Sequence, residues 1–154
     1  MKKKVIFNLV SLIGIALSVI FILINWNVLP DRFPIHFSIS GEPDNFAGKW
    51  AVWLSPIISA AIYFLMQLMI SKPWMVSNYP YKITPETKEK HYNIIRDTGY
   101  YLRVGIIWVF TYIQWWVIEF AKGNKSISGF TILIPIAIVI IIAFLSYRRG
   151  KKVS

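Results

Sequence analysis

Four apolar stretches, Val5 to Leu29, Ala51 to Ser71, Gly99 to Phe120 and Phe130 to Tyr147, alternate along the chain with shorter polar segments. They are 25, 21, 22 and 18 residues long. At about 1.5 Å of rise per residue, each is long enough as a helix to cross roughly 30 Å of hydrocarbon. A helix in lipid satisfies its own backbone donors and acceptors, so the pattern predicts an all-α integral membrane protein, one membrane domain over residues 1–154 with four transmembrane helices. The first stretch follows Lys2, Lys3 and Lys4 as a signal peptide would. It is too long for one, and no small-residue cleavage site follows, so it is expected to be retained.

Polar and small residues inside the spans carry further expectations. Gly14 and Ser18, and Ser55 and Ser59, have the small-xxx-small spacing that lets helices approach closely. Asn8, Gln67 and Gln114 are expected to hydrogen-bond neighbouring helices. Arg103, about one turn inside the third span, is expected to snorkel to the nearer surface, and Glu119 to mirror it at the other end; the alternative for both is a coupled intramembrane charge pathway. Pro135 removes the hydrogen bond to the Thr131 carbonyl and predicts a kink in the fourth span.

The segment between the first two spans has a different period. In "PIHFSIS", Ile35, Phe37 and Ile39 alternate with His36, Ser38 and Ser40, which is strand spacing. "GEPDNFAGK" follows with turn chemistry: Gly41 permits positive φ, Pro43 fixes φ, and Asp44 or Asn45 can bond its own backbone. An ordered loop is expected, tucked against the span ends by Phe33, Phe37 and Phe46. That shape brings His36, Glu42 and Asp44 within reach of one another. A hydrogen-bonded turn with a structural or recognition role is the leading reading; the three are also weak candidates for a zinc or manganese site, a proton-linked switch or acid-base chemistry. With no Ser-His-Asp set, HExxH, phosphate loop or redox pair, neither an enzyme nor a cofactor is expected.

Between the second and third spans, Thr84 is the expected N-cap of a short helix with Pro85 at its first position and Glu86 in its first turn, one that can run into the third span near Gly99. His91 is expected on a solvated face of it.

Charge and composition then orient the chain. Apolar residues make up 56% and charged ones 16%, far from the usual soluble balance. There is no cysteine, hence no disulfide, thiolate nucleophile or cysteine metal site. The net charge of +10 would suit nucleic acid, but the basic residues cluster at span ends, which argues against that partner. Three lie at the N-terminus, five in Lys72 to Thr98 and four after Tyr147, against two in each of the remaining loops. The positive-inside rule therefore gives an N-in, C-in arrangement with the ordered loop outside. Trp26, Trp50, Trp74, Tyr79, Tyr100 and Tyr101 fall where aromatic rings meet headgroups.

The outer segment "LPDRFPIHFSISGEPDNFAGK", with Pro30, Asp31, Pro34, His36, Gly41, Pro43, Asp44 and Lys49, resembles the uncharacterised membrane domain at the N-terminus of the SdpI family. Asn78, Tyr79, Pro80, Thr84 and Glu86 are similar to the inner-loop pattern of that domain, so the likeness runs over about residues 25–103. Full-length members of the family have about six spans, and this chain has four. The resemblance implies an immunity protein of the bacterial plasma membrane that protects against a secreted antibacterial peptide. On this reading the outer loop, Glu42 included, binds the peptide. The alternatives are a sensor that recruits a cytoplasmic regulator, and a metal-dependent or transport protein. The lipid bilayer is the partner in every case.

Overall fold

The computed structural model describes residues 2–38, 41–75, 83–124 and 129–153. In chain order these form α1 (Lys2–Asn25), β1 (Arg32–Phe37), β2 (Pro43–Gly48), α2 (Leu54–Ser71), α3 (Lys88–Ala121) and α4 (Leu133–Lys151). Short 3-10 segments precede α2 and α4 and follow α1 and α2. Counting those turns, four helical segments, Lys2–Val28, Lys49–Ser71, Lys88–Ala121 and Phe130–Lys151, are long and apolar enough to cross a membrane, as in a multi-pass membrane protein. The chain is mostly helical rather than wholly so. The alternating segment after α1 pairs with the one after it as a two-stranded antiparallel hairpin.

The α3 helix is the axis, packing against α1, α2 and α4. Its approach to α1 is set by small side chains. Ser11, Gly14, Ser18 and Ile22 are the buried residues of α1, three or four positions apart and thus on one face. A Cβ at Gly14 would meet Ile107 Cγ2 at 3.0 Å and Thr111 Oγ1 at 3.5 Å. That closeness lets the Thr111 hydroxyl donate to the Gly14 carbonyl at 3.0 Å and the Trp108 indole to the Val10 carbonyl at 3.2 Å. On α2, Ser55 donates to the Phe110 carbonyl at 3.1 Å, while Ser59 is fully buried. Both small-residue pairs therefore lie in helix contacts. The α4 helix meets a different side of α3, where Gly105 admits Val139 and the Tyr112 hydroxyl bonds Thr131 Oγ1 at 2.7 Å. Its lipid-length segment has no buried residues in its most apolar window.

Several expectations are corrected. Arg103 does not snorkel: it is fully buried, donating to Asn8 Oδ1 at 2.6 Å and Gln67 Oε1 at 2.7 Å. The guanidinium carbon also lies 4.5 Å from the centre of the Tyr63 ring and 5.5 Å from that of Tyr100, within cation-π range. Arg103 faces the bundle because it shares a stripe with Ile107, Thr111, Gln114 and Ile118, all buried. His91, three turns earlier, is buried as well, with Nδ1 3.0 Å from the Thr87 carbonyl oxygen. The helix that carries it does run on into the third span. After a turn over Thr84 to Thr87, α3 runs unbroken from Lys88 for 34 residues, with Thr87 at the cap position expected for Thr84.

Pro135 lies in the first turn of α4, just after the 3-10 turn that precedes it, and not in the middle of the helix. It is the third residue of α4, where the backbone N–H lacks an intrahelical partner in any helix. Glu119, at the hairpin end of α3, pairs with Lys122 at 2.7 Å.

Candidate functional site

The hairpin joins the C-terminal end of α1 to the start of α2, so its ends are held by two spans. A cluster of Ile22, Leu29, Phe33, Ala51, Val52 and Ile118 seats its base on the bundle. Burying an aromatic ring of this size contributes about 2 kcal/mol or more relative to exposure, so Phe33 alone is a substantial anchor. The Phe37 ring is a second one, packed edge-on against Trp116 and Phe120 of α3 with centroids 4.6 and 5.2 Å away.

Strict alternation fails in the middle of β1. The register shifts between Pro34 and His36 and again before Phe37, so Phe33 and Pro34 are both buried and Ile35 stays exposed. A bulge re-aims side chains in this way, and single-period counting cannot see it. The Phe46 ring does not tuck under the bundle; it is 39% exposed and lies 5.1 Å from the Arg32 guanidinium carbon.

At the far end, Gly41 has φ +83°, a left-handed conformation that a side chain would strain. Its N–H donates to the Ser38 carbonyl, and the Ser38 N–H donates to the Glu42 carbonyl, both at 2.9 Å. This closure carries His36 and Asp44 to one exposed face, where Nδ1 and Oδ1 stand 2.5 Å apart. Their side chains are 68% and 47% exposed, so the pair is presented to its surroundings rather than used to fill a core. It is an ion pair whenever the imidazole is protonated.

The remaining motif residues divide by role. Pro34 is buried under the hairpin, and Pro43 starts β2. Pro30, Asp31 and Glu42 are exposed. Lys49 holds its ammonium 4.7 Å from the Trp26 ring centre, a contact that fixes the hairpin's exit. Of the three weak metal candidates, His36 and Asp44 come together. Among the described residues no group of three or more His, Cys, Asp or Glu side chains gathers as a metal site.

Residues 13–60 match the model of a domain of unknown function, DUF1648. The matched region contains the end of α1, the whole hairpin and the start of α2, and with them every outer-motif residue from Pro30 to Lys49. The chain matches no curated protein and no solved structure. The inner-motif residues lie outside the matched region. Asn78, Tyr79 and Pro80 fall outside the described residues, whereas Thr84 and Glu86 sit in the turn before α3. There the Thr84 backbone N–H donates to Thr87 Oγ1 at 3.1 Å. A hydrogen bond from the Thr84 side chain, together with a backbone one, holds the exposed Glu86 carboxyl below its ordinary pKa.

Sequence reasoning left Arg103 and its partners out of the site altogether. The available signal was the shared stripe of Arg103, Thr111 and Gln114 on α3, read together with Asn8 on the Ser11, Gly14, Ser18 face of α1.

Proposed function

We propose that this chain is a binding protein of a bacterial plasma membrane whose hairpin recognises a secreted antibacterial peptide and thereby confers resistance. The observation that carries the reading is the exposed His36–Asp44 pair, held on a hairpin whose base is buried by Phe33 and Phe37. A preorganised polar face loses little conformational freedom on binding, which favours recognition. The excess of basic residues at both termini and in Lys72 to Thr98 supports an outward hairpin. The outer-motif resemblance to the SdpI family supports a peptide ligand. Sequestration needs no bond-making chemistry, so the reading is of a non-enzyme.

In sensitive bacterial cells challenged with the killing peptide of that family, expression of the chain is expected to raise survival. A His36→Ala, Asp44→Ala variant at equal membrane abundance is expected to lose most of that protection. Equal survival of the two would remove the hairpin face from the mechanism.

One observation favours a sensor as the second reading. The α3 helix touches the hairpin through Trp116 and Phe120 and runs unbroken to the opposite end at Lys88, giving a rigid connection between the two. A sensor would capture a cytoplasmic regulator in a peptide-dependent manner, and Phe37→Ala would weaken that dependence. Capture that ignores both the peptide and the substitution would rule it out.

A further inference from the structure

The two ends of the bundle differ in charge. Among the described residues the hairpin end, over 29–54 and 118–124, has three basic side chains, Arg32, Lys49 and Lys122, against the four acids Asp31, Glu42, Asp44 and Glu119. The opposite end, over 2–4, 72–75, 83–97 and 148–153, has eleven basic side chains against Glu86, Glu89 and Asp97.

Packing brings the parts of that basic end to one level. Lys3 Nζ pairs with Asp97 at 2.9 Å and the Phe7 ring stacks on Tyr100, which sets the start of α1 beside α3. Ile70, at the end of α2, meets Gly99 and brings Lys72 to the same place. The α4 helix runs antiparallel to α3, with Thr131 at Tyr112 and Val139 at Gly105. Lys151 is twelve residues beyond Val139, about 18 Å of helix, and so comes level with the first turns of α3.

Most of these cations lack a counter-charge. The Lys3–Asp97 contact is the salt bridge at this end among the described residues, so the exposed Arg148, Arg149, Lys151 and Lys152 have no carboxylate partner. Like charges three or four positions apart on a helix repel one another. The C-terminal carbonyls of α4 offset part of that repulsion, and anions outside the chain would offset more.

The surroundings select the anion. No residue is buried in the most apolar window of α4, so lipid covers most of that helix on the way to its basic end. The Arg148 guanidinium carbon lies 5.9 Å from the centre of the Phe144 ring, close to the apolar surface, as in a snorkelling arginine. Trp74 and Tyr147 are 60% and 41% exposed at the same end, and such rings settle among headgroups. A cluster of four or more basic residues beside a span suits acidic headgroups, whose phosphates already lie at this level.

We infer that this end of the bundle, through Arg148, Arg149, Lys151 and Lys152 of α4 with Lys2 and Lys4 of α1 on the same level, binds the headgroups of acidic phospholipids of the phosphatidylglycerol type and gathers them in preference to neutral lipid. The surface is remote from the hairpin and does not depend on a peptide ligand.

The test uses the full chain in phosphatidylcholine nanodiscs, with dilute spin-labelled phosphatidylglycerol or spin-labelled phosphatidylcholine as the probe. Electron paramagnetic resonance reads the share of each probe immobilised at the protein. A preference of about fivefold for phosphatidylglycerol is expected, the factor that one basic residue near the surface contributes. It should fall most of the way to parity in about 1 M salt, where the screening length is about 3 Å. Replacing all four α4 cations, as Arg148→Gln, Arg149→Gln, Lys151→Gln and Lys152→Gln together, is expected to remove about half of the preference or more. The charge-keeping pair Arg148→Lys, Arg149→Lys should retain it, as should Lys122→Gln at the hairpin end. Equal immobilisation of the two probes by the unsubstituted chain, a preference that ignores salt, or an undiminished preference in the fourfold variant would each overturn the assignment. A DNA duplex held by the phosphatidylcholine discs in the absence of any lipid preference would give the cations to nucleic acid instead.

Discussion

A double substitution of Asn8→Leu and Gln67→Leu is expected to be the most damaging change to the bundle, lowering stability by about 3–5 kcal/mol, as removal of partners from a buried charge does. The Arg103 guanidinium makes its hydrogen bonds to those two amide oxygens, and its Nε already lacks a partner. Among the described residues no carboxylate pairs with it, so the amides and the Tyr63 and Tyr100 rings carry its stabilisation. Each single leucine variant should cost about 1.5–3 kcal/mol, the range for hydrogen bonds to charged groups. Adding Arg103→Met to the double variant should restore most of the loss, because an apolar trio leaves nothing buried without a partner. Reversible unfolding in mixed micelles measures all of these. A double variant that loses less than about 1 kcal/mol would mean that the guanidinium reaches water.

The second large effect is expected at Gly14. A leucine there should destabilise the bundle by about 2–4 kcal/mol, combining overpacking with two lost interhelical bonds. The Cβ already falls at 3.0 Å from Ile107, so the added atoms have to push α1 away from α3. That movement breaks the bonds from Thr111 to the Gly14 carbonyl and from Trp108 to the Val10 carbonyl. Gly14→Ala is expected to stay within about 1 kcal/mol of the parent, because one methyl needs only a small shift of Ile107 and gains helix propensity. Leu12→Ala, on the half-exposed face, serves as the control in the same unfolding measurement. A Gly14→Leu chain as stable as the parent would show that the small-residue seam does not set the helix spacing.

These two sites also explain what the sequence could and could not disclose. Spans are legible because lipid demands long apolar runs, and their number and approximate bounds follow from that alone. Which face of each span points inward is harder to read, because outside and inside are both apolar and the usual amphipathic signal is weak. The clue is inverted: small and polar residues mark the inward seam. Asn8, Ser11, Gly14 and Ser18 on α1, Ser59, Tyr63 and Gln67 on α2, and Arg103, Thr111 and Gln114 on α3 form three such seams. Read one residue at a time, Arg103 looks like a surface anchor and His91 a solvated side chain. Their burial becomes legible only from the period they share with Thr111.

The hairpin was legible for a different reason. Proline, glycine and alternating residues constrain local backbone strongly, so strand character and the turn at Gly41 could be read directly. The bulge at Ile35 could not, because it follows from how Phe33 and Phe37 each find a place on the bundle. That geometry also moved Phe46 out of the anchoring role.

The central position of α3 bears on how the protein is made. The polar seams of α1 and α2 are completed by residues of a helix synthesised after both, so when those first two spans leave the insertion machinery Asn8 and Gln67 have yet to meet Arg103. Arg103 in turn finds both of its hydrogen-bond acceptors, and the Tyr63 ring, on helices made before its own. The third span is therefore needed to complete both seams, and α4 packs on that same helix.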